Sequence, residues 1–295
     1  MKLFTDLFLK LKEGNMFRIK LVYAIVLVPV GLWGVLQTAQ ADCAVTGTTG
    51  SGGEIVMCTG SDTDGYDGTP NGDDITVPVG ATVDHPTSDT IDLVGGDDVM
   101  LISGGTITSG SDAVETGSGN DTVTMTSGSV TGDSDGFRLQ GGDDSIIVTG
   151  GIITGTADQG IQTGPGNDYI SISNATVTGD GALEGESDND IIELGDNAVV
   201  NGLIDGGSET DILRFSMAVA PGDLSSVQSA LASANPASGS ITINGLTYTW
   251  IDFESIEDNV RGSAATSVPS LQFWGILLLI GLVLLFSQQF IRTYR

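Results

Sequence analysis

Gly141-Gly142-Asp143-Asp144-Ser145-Ile146-Ile147-Val148 joins a glycine–aspartate turn to an alternating apolar run, and close copies of it return about every 23 residues. The variants read Asn71-Gly72-Asp73-Asp74, Gly95-Gly96-Asp97-Asp98, Gly117-Ser118-Gly119-Asn120-Asp121, Gly164-Pro165-Gly166-Asn167-Asp168, Ser187-Asp188-Asn189-Asp190 and Gly206-Gly207-Ser208-Glu209-Thr210-Asp211. Their last aspartates stand 24, 23, 23, 24, 22 and 21 residues apart. A fixed period of this size marks a solenoid, in which each repeat buries its apolar face only against its neighbours.

Alignment on that last Asp places apolar residues two and four positions later: Met100 and Ile102, Val123 and Met125, Ile146 and Val148, Ile170 and Ile172, Ile192 and Leu194, Leu213 and Phe215. The intervening positions are mostly Thr, Ser or Glu, so the run is a period-2 strand with one buried face. A second column, Val83, Ile107, Val130, Ile153, Val177 and Val200, is wholly β-branched, as stacked strands prefer. A third comprises Ile91, Val114, Phe137, Ile161, Leu183 and Ile204. Three short strands per period predict an all-β chain, a right-handed parallel β-helix solenoid over residues 71–215. No helical pattern separates the strands, which excludes βαβ units, and an antiparallel sandwich would not hold three columns at one period. Six to seven coils at about 4.8 Å each predict a rod roughly 30 Å long.

Residues 42–265 hold 36 Asp or Glu, three Arg and no Lys. So acidic a segment is unsuited to nucleic acid or to anionic membrane surfaces, which need positive charge against their phosphates. At the N-terminus, Arg18 and Lys20 precede the apolar run Leu21 to Leu36 and then Ala39-Gln40-Ala41. That is the layout of a secretory signal peptide over residues 1–41, with a start at Met16 giving the conventional length and Asp42 the first mature residue; an uncleaved anchor is the alternative. Cys43 and Cys58, the only cysteines, follow at once, and in an exported, oxidising setting they are expected to form a disulfide across an N-terminal cap, residues 42–70.

Beyond Ile212 the period stops. Residues 216–258 read as a small α+β cap: a short amphipathic helix over 222–234, then a hairpin turning at Asn244-Gly245, with Trp250, Phe253 and Ile256 placed to close the last coil. A linker, 259–267, leads to Val268-Pro269-Ser270-Leu271-Gln272-Phe273-Trp274-Gly275, the apolar run Ile276 to Phe286, and a basic end at Arg292 and Arg295. One transmembrane helix is expected within 268–295, with its basic end cytoplasmic.

This tail resembles the IPTL-CTERM sorting signal of Gram-negative bacteria, a relative of PEP-CTERM. Val268, Pro269, Leu271, Trp274 and Gly275 match the motif, while Ser270 stands for the usual Thr and Gln272-Phe273 for a more polar pair. The resemblance covers about 28 residues. It implies delivery to a membrane-embedded, exosortase-like sorting enzyme and display at the cell surface. A plain tail anchor is the alternative.

The Asp-rich turns are similar to the calcium-binding repeats of RTX-type secreted proteins, and Gly117 to Val123 and Gly164 to Ile170 keep the Gly-x-Gly-Asn-Asp-x-apolar part. The RTX unit is much shorter, so its paired calcium sites do not transfer. The period does predict two carboxylate ladders. One runs through Asp74, Asp98, Asp121, Asp144, Asp168, Asp190 and Asp211, the other through Asp89, Asp112, Asp135, Asp158 and Asp180. Stacked like charges raise one another's pKa unless a cation lies between them, and an oxygen-only donor set suits Ca²⁺. The competing expectation is that these residues only make turns, bonding nearby backbone N–H groups while solvent screens their charge.

β-Helices also carry polysaccharide lyases and hydrolases, but here the acids fall in near-identical rows and Arg138 is the one base inside the regular coils. The sequence therefore points to an exported structural, adhesive or matrix-interacting protein, with extracellular polysaccharide among its expected partners. A carbohydrate-active enzyme is the alternative.

Overall fold

The computed structural model describes residues 43–263. The signal segment, the sorting motif and its apolar run lie outside them, and among the described residues no helix is long and apolar enough to cross a membrane. What is described is a parallel β-solenoid of about seven coils.

Each coil contributes three strands, and each strand stacks in register on its equivalent one period away. On the first face, Asp74–Val77 pairs with the start of Val99–Ser109, which pairs with the start of Thr122–Gly132, then Ser145–Val148, Tyr169–Ile172, Ile191–Gly195 and Ile212–Ser216. The second face stacks Thr82–His85, the ends of those same two long strands, Gly151–Gly155, and the starts of Ala175–Ser187 and Val199–Asp205. The third stacks Tyr66–Asp67, Ile91–Asp92, Val114–Glu115, Phe137–Arg138 and Ile161–Pro165 onto the remainder of Ala175–Ser187 and Val199–Asp205.

All three apolar columns point inward. Val83, Ile107, Val130, Ile153 and Val177 are buried to 0 % exposure, as are all six members of the third column from Ile91 to Ile204. With strand spacing fixed, each β-branched side chain of the second column meets its own kind above and below, so successive coils pack in like layers.

Glycine is required where turns of successive coils touch. A Cβ on Gly142 would lie 1.7 Å from the carbonyl oxygen of Gly119, and one on Gly166 would lie 1.7 Å from that of Gly142. Both glycines also have positive φ, 141° and 149°, so no other residue fits.

Several expected boundaries move. The stretch expected to be only a cap, 42–70, already contains a coil: Glu54–Cys58 pairs in parallel with Asp74–Val77, Ser61–Asp62 with Thr82–His85, and Tyr66–Asp67 with Ile91–Asp92. This coil lacks the glycine–aspartate turn before its first strand, so it does not show in the repeat. Only Cys43–Thr48 caps it, antiparallel to Glu54–Cys58 and tied by the expected Cys43–Cys58 disulfide.

At the other end the helix forms at Leu224–Ser233, and the hairpin Ser238–Ile243/Leu246–Ile251 turns through Asn244 and Gly245, both at positive φ. The hairpin also continues the solenoid, because Leu246–Ile251 stacks in parallel on Val199–Asp205 and Ser255–Asp258 on Ile212–Ser216. Trp250 and Phe253 are buried, and Phe215 meets Tyr248 and Trp250 edge-on with centroids 5.7 and 6.2 Å away. The expected linker starts late: Arg261–Gly262 still pairs with Ala218–Val219, and Val260 is buried.

Candidate functional site

The aspartate column is the most unusual feature of this interior. Asp98, Asp121, Asp144, Asp168, Asp190 and Asp211 are all at most 2 % exposed. The first rung is corrected from Asp74 to Asp73: Asp73 is buried at 0 % and stacks on Asp98, whereas Asp74 is exposed on the strand's outer face. The apolar spacing already separates the two adjacent aspartates, since Ile75 and Val77 stand two and four positions after Asp73, whereas Thr76 and Pro78 follow Asp74. In the fold Ile75 and Val77 point inward, which leaves Asp73 and not Asp74 in phase with them.

Each backbone N–H in the column donates to the carboxyl of the next coil. Asp73 donates to Asp98 Oδ1 at 2.6 Å, Asp98 to Asp121 at 2.8 Å, Asp121 to Asp144 at 2.7 Å, Asp144 to Asp168 at 2.7 Å, Asp168 to Asp190 at 2.8 Å and Asp190 to Asp211 at 2.8 Å. Two residues that the repeat did not reveal finish the column. Glu54 N–H donates to Asp73 Oδ1 at 2.5 Å, and Asp211 N–H donates to Glu254 Oε2 at 2.6 Å. Glu254 lies 43 residues past Asp211 because the helix and hairpin intervene, so no spacing rule could find it.

The second carboxylate oxygen is different. Oδ2 of Asp98, Asp121, Asp144, Asp168, Asp190 and Asp211 is buried with no hydrogen-bond partner. Burial pushes Asp98, Asp144 and Asp190 up to about 8, with stacked aspartates adding to the shift. Asp168 and Asp211 rise to about 6, again chiefly by burial. Burial raises Asp121 as well, while the Thr116 side chain opposes it, as Thr163 does beside Asp168. The sequence expected charge repulsion to drive this shift. The larger cause is loss of water, since burial disfavours the charged form of a carboxyl.

As for Ca²⁺, its sites take roughly six to eight oxygens. Each rung from Asp98 to Asp211 presents one carboxylate oxygen without a hydrogen-bond partner, and a Cβ on Gly185 would lie 2.3 Å from Asp190 Oδ2. The donor set is of the right kind, but one free oxygen per rung falls well short of that number.

One residue earlier lies an exposed ladder of opposite polarity. Asn120 N–H donates back to Asp97 Oδ1 at 2.9 Å, Asp143 to Asn120 Oδ1 at 2.8 Å and Asn167 to Asp143 Oδ1 at 2.9 Å. Asp and Asn alternate here, so no two charges are adjacent, and the bonds from Asn167 hold Asp143 below the usual carboxylate range. Each turn is thus held to the coil below by one residue and to the coil above by the next.

The other expected ladder is partly formed. Asp112 N–H donates to Asp89 Oδ1 and Asp135 to Asp112 Oδ1, each at 3.0 Å, but the next rung is Gln159, donating to Asp135 Oδ1 at 2.7 Å. Asp158 is displaced by one residue and exposed, and Asp180 N–H instead meets its backbone oxygen. One extra residue in the turn of that coil accounts for the slip.

The outer row of the third face runs Asp67, Asp92, Glu115, Arg138, Gln162, Glu184 and Asp205. Burial lifts Glu115 to about 7, aided by Asp89 and Asp92 and opposed by Arg138. Asp89, Asp112 and Glu115 form a trio whose oxygens lie within 4.8 Å of one another, and Arg138 Nη1 stands 3.5 Å from Asp112 Oδ2. Beside it a cleft of about 300 Å³ is lined by Arg138, Gln140, Gln162, Pro165 and Glu186. Gln140 is tied to Glu115 and Gln162 to Glu186, so the cleft's polar groups are already engaged.

Comparison of the chain with protein-family models, with curated proteins and with solved structures finds no match in any of the three.

Proposed function

We propose that this chain is an exported, surface-displayed acidic β-helix with a structural or adhesive role in the extracellular matrix. A signal peptide ending at Ala41 delivers it, and the Val268–Gly275 motif hands it to an exosortase-like enzyme of a Gram-negative bacterium. The observation that carries this reading is uniformity. The buried aspartates of the column repeat one hydrogen-bonding pattern coil after coil, so none of them is set apart as a general acid or base. The Cys43–Cys58 disulfide agrees with an oxidising compartment.

A carbohydrate-active β-helix enzyme is the second reading, and the cleft at Arg138 is the feature that favours it. That cleft offers one carboxylate, Glu186, where most glycosidases need two. Mass spectrometry of the surface-exposed protein tests the main proposal. Its C-terminus should fall between Val268 and Trp274. Peptides running intact through Ile276 to Arg295 in most molecules would make the tail a permanent anchor and remove the sorting step.

A further inference from the structure

The second face differs from the other two. Its outward positions form two files of in-register side chains: Thr82, Thr106, Ser129, Ile152, Thr176 and Val199 in one, and Asp84, Thr108, Thr131, Thr154, Thr178 and Asn201 in the other. On a protein of net charge −28, this face carries one carboxylate, Asp84, at its N-terminal end. None of these outward positions is aromatic. The hydroxyls of Thr106, Thr108, Ser129, Thr131, Thr154 and Thr176 make no intramolecular hydrogen bond, unlike Thr90, Thr116 and Thr163, whose hydroxyls bond backbone carbonyls.

We propose that this face binds the surface of ice, its hydroxyl files ordering a layer of water that joins the crystal. The argument is one of symmetry and charge. Rungs repeat at about 4.8 Å, and alternate residues along a strand at roughly 6.7 Å, so the hydroxyls are periodic in two directions. A partner that meets every hydroxyl must itself be a two-dimensional lattice. Flexible chains lose conformational freedom when held straight and are usually gripped in aromatic-lined sites, and none of these outward positions is aromatic. Threonine suits a crystalline partner because its β-branched side chain is already restricted in rotamer, so little entropy is lost on contact. Its methyl group sheds water while its hydroxyl keeps it. The face's neutrality fits a neutral lattice, whereas the acidic third face would hold a hydrated counterion layer.

This inference supplies a ligand for the adhesive reading and rests on that reading only for placing the face outside the cell. The test uses the full chain, fluorescently labelled and kept soluble in detergent micelles, exposed to slowly growing ice. Several-fold enrichment in the ice fraction over a non-binding carrier protein is expected. Thr131→Lys combined with Thr154→Lys should abolish it, while Thr122→Lys on the first face should leave it intact, with melting curves confirming that each variant folds. If the double variant does not fold, Thr108→Lys alone serves, because that side chain is exposed. Exclusion of the wild-type chain from ice would overturn the proposal, as would equal enrichment of the second-face and first-face variants. Retention on crystalline cellulose or chitin without ice enrichment would assign the face to solid polysaccharide instead. Failure of C-terminal processing in the cell would leave ice uptake unchanged, so the two readings fail separately.

Discussion

Asp144→Asn should leave the protein's stability nearly unchanged in mild acid and raise it in mild base. The asparagine keeps an oxygen for the Asp121 N–H, which lies 2.7 Å from Asp144 Oδ1, as Asn120 already does for the Asp143 N–H in the exposed ladder. What it removes is an ionisable group whose pKa burial raises from 3.8 to about 8. A carboxyl whose folded pKa lies above its unfolded value makes folding take up a proton. Stability is therefore highest below the unfolded value and falls as pH rises through the folded one. At pH 7 the uptake spans about three pH units, on the order of 4 kcal/mol at about 1.4 kcal/mol per unit. Stacked neighbours share this titration, and the new amide must find an acceptor in place of Oδ2, so one substitution should recover about 1–3 kcal/mol. In a domain of this size that is roughly 2–10 °C of melting temperature. The assay is thermal unfolding of wild type and variant from pH 4.5 to 9. The wild type should lose stability across the window from about 4 to 8, and the variant should lose less. A wild type that gains stability toward pH 9, or a variant less stable than wild type there, would refute the protonated column.

Gly142→Ala should cost more than about 3 kcal/mol, since the new methyl meets the Gly119 carbonyl oxygen at 1.7 Å and φ is 141°; a melting temperature within a few degrees of wild type would contradict the turn stacking. Cys43→Ser should lower stability by roughly 3 kcal/mol through the loss of a short-loop constraint, and reductant should reproduce the loss in wild type but not in the variant. Trp250→Ala should cost about 3–5 kcal/mol and expose the last coil to hydrogen exchange before the central ones. Millimolar calcium should raise the melting temperature no more than sodium of equal ionic strength. A calcium-specific rise that abolishes the decline toward pH 8 would place the ion in the column, as the sequence pattern had suggested.

The repeat, its three inward columns, the disulfide and the C-terminal helix and hairpin were all legible in the chain. Solenoid coils bury their side chains against their own sequence equivalents, so a period in the sequence is a contact in space. From Val83 to Ile204 this let burial be assigned from spacing alone. The ends were harder, because a terminal coil stacks on one side only and drifts from the consensus. The coil at Glu54–Asp67 and the closing strands Leu246–Ile251 and Ser255–Asp258 are recognised by their pairing and not by their residues.

The aspartate column divides in the same way. Its existence was written in the period, and the apolar pair Ile75 and Val77 marks Asp73, not Asp74, as its first rung. That the carboxyls face the core and not water, that each accepts an N–H from the adjacent coil, and that their second oxygens have no partner follow from how the turn folds over the strands. Desolvation and hydrogen bonding depend on surroundings in three dimensions, so the protonation state of these residues belongs to the tertiary structure. The sequence by itself determined which side chains share a column, and the packed coils decided what each column faces.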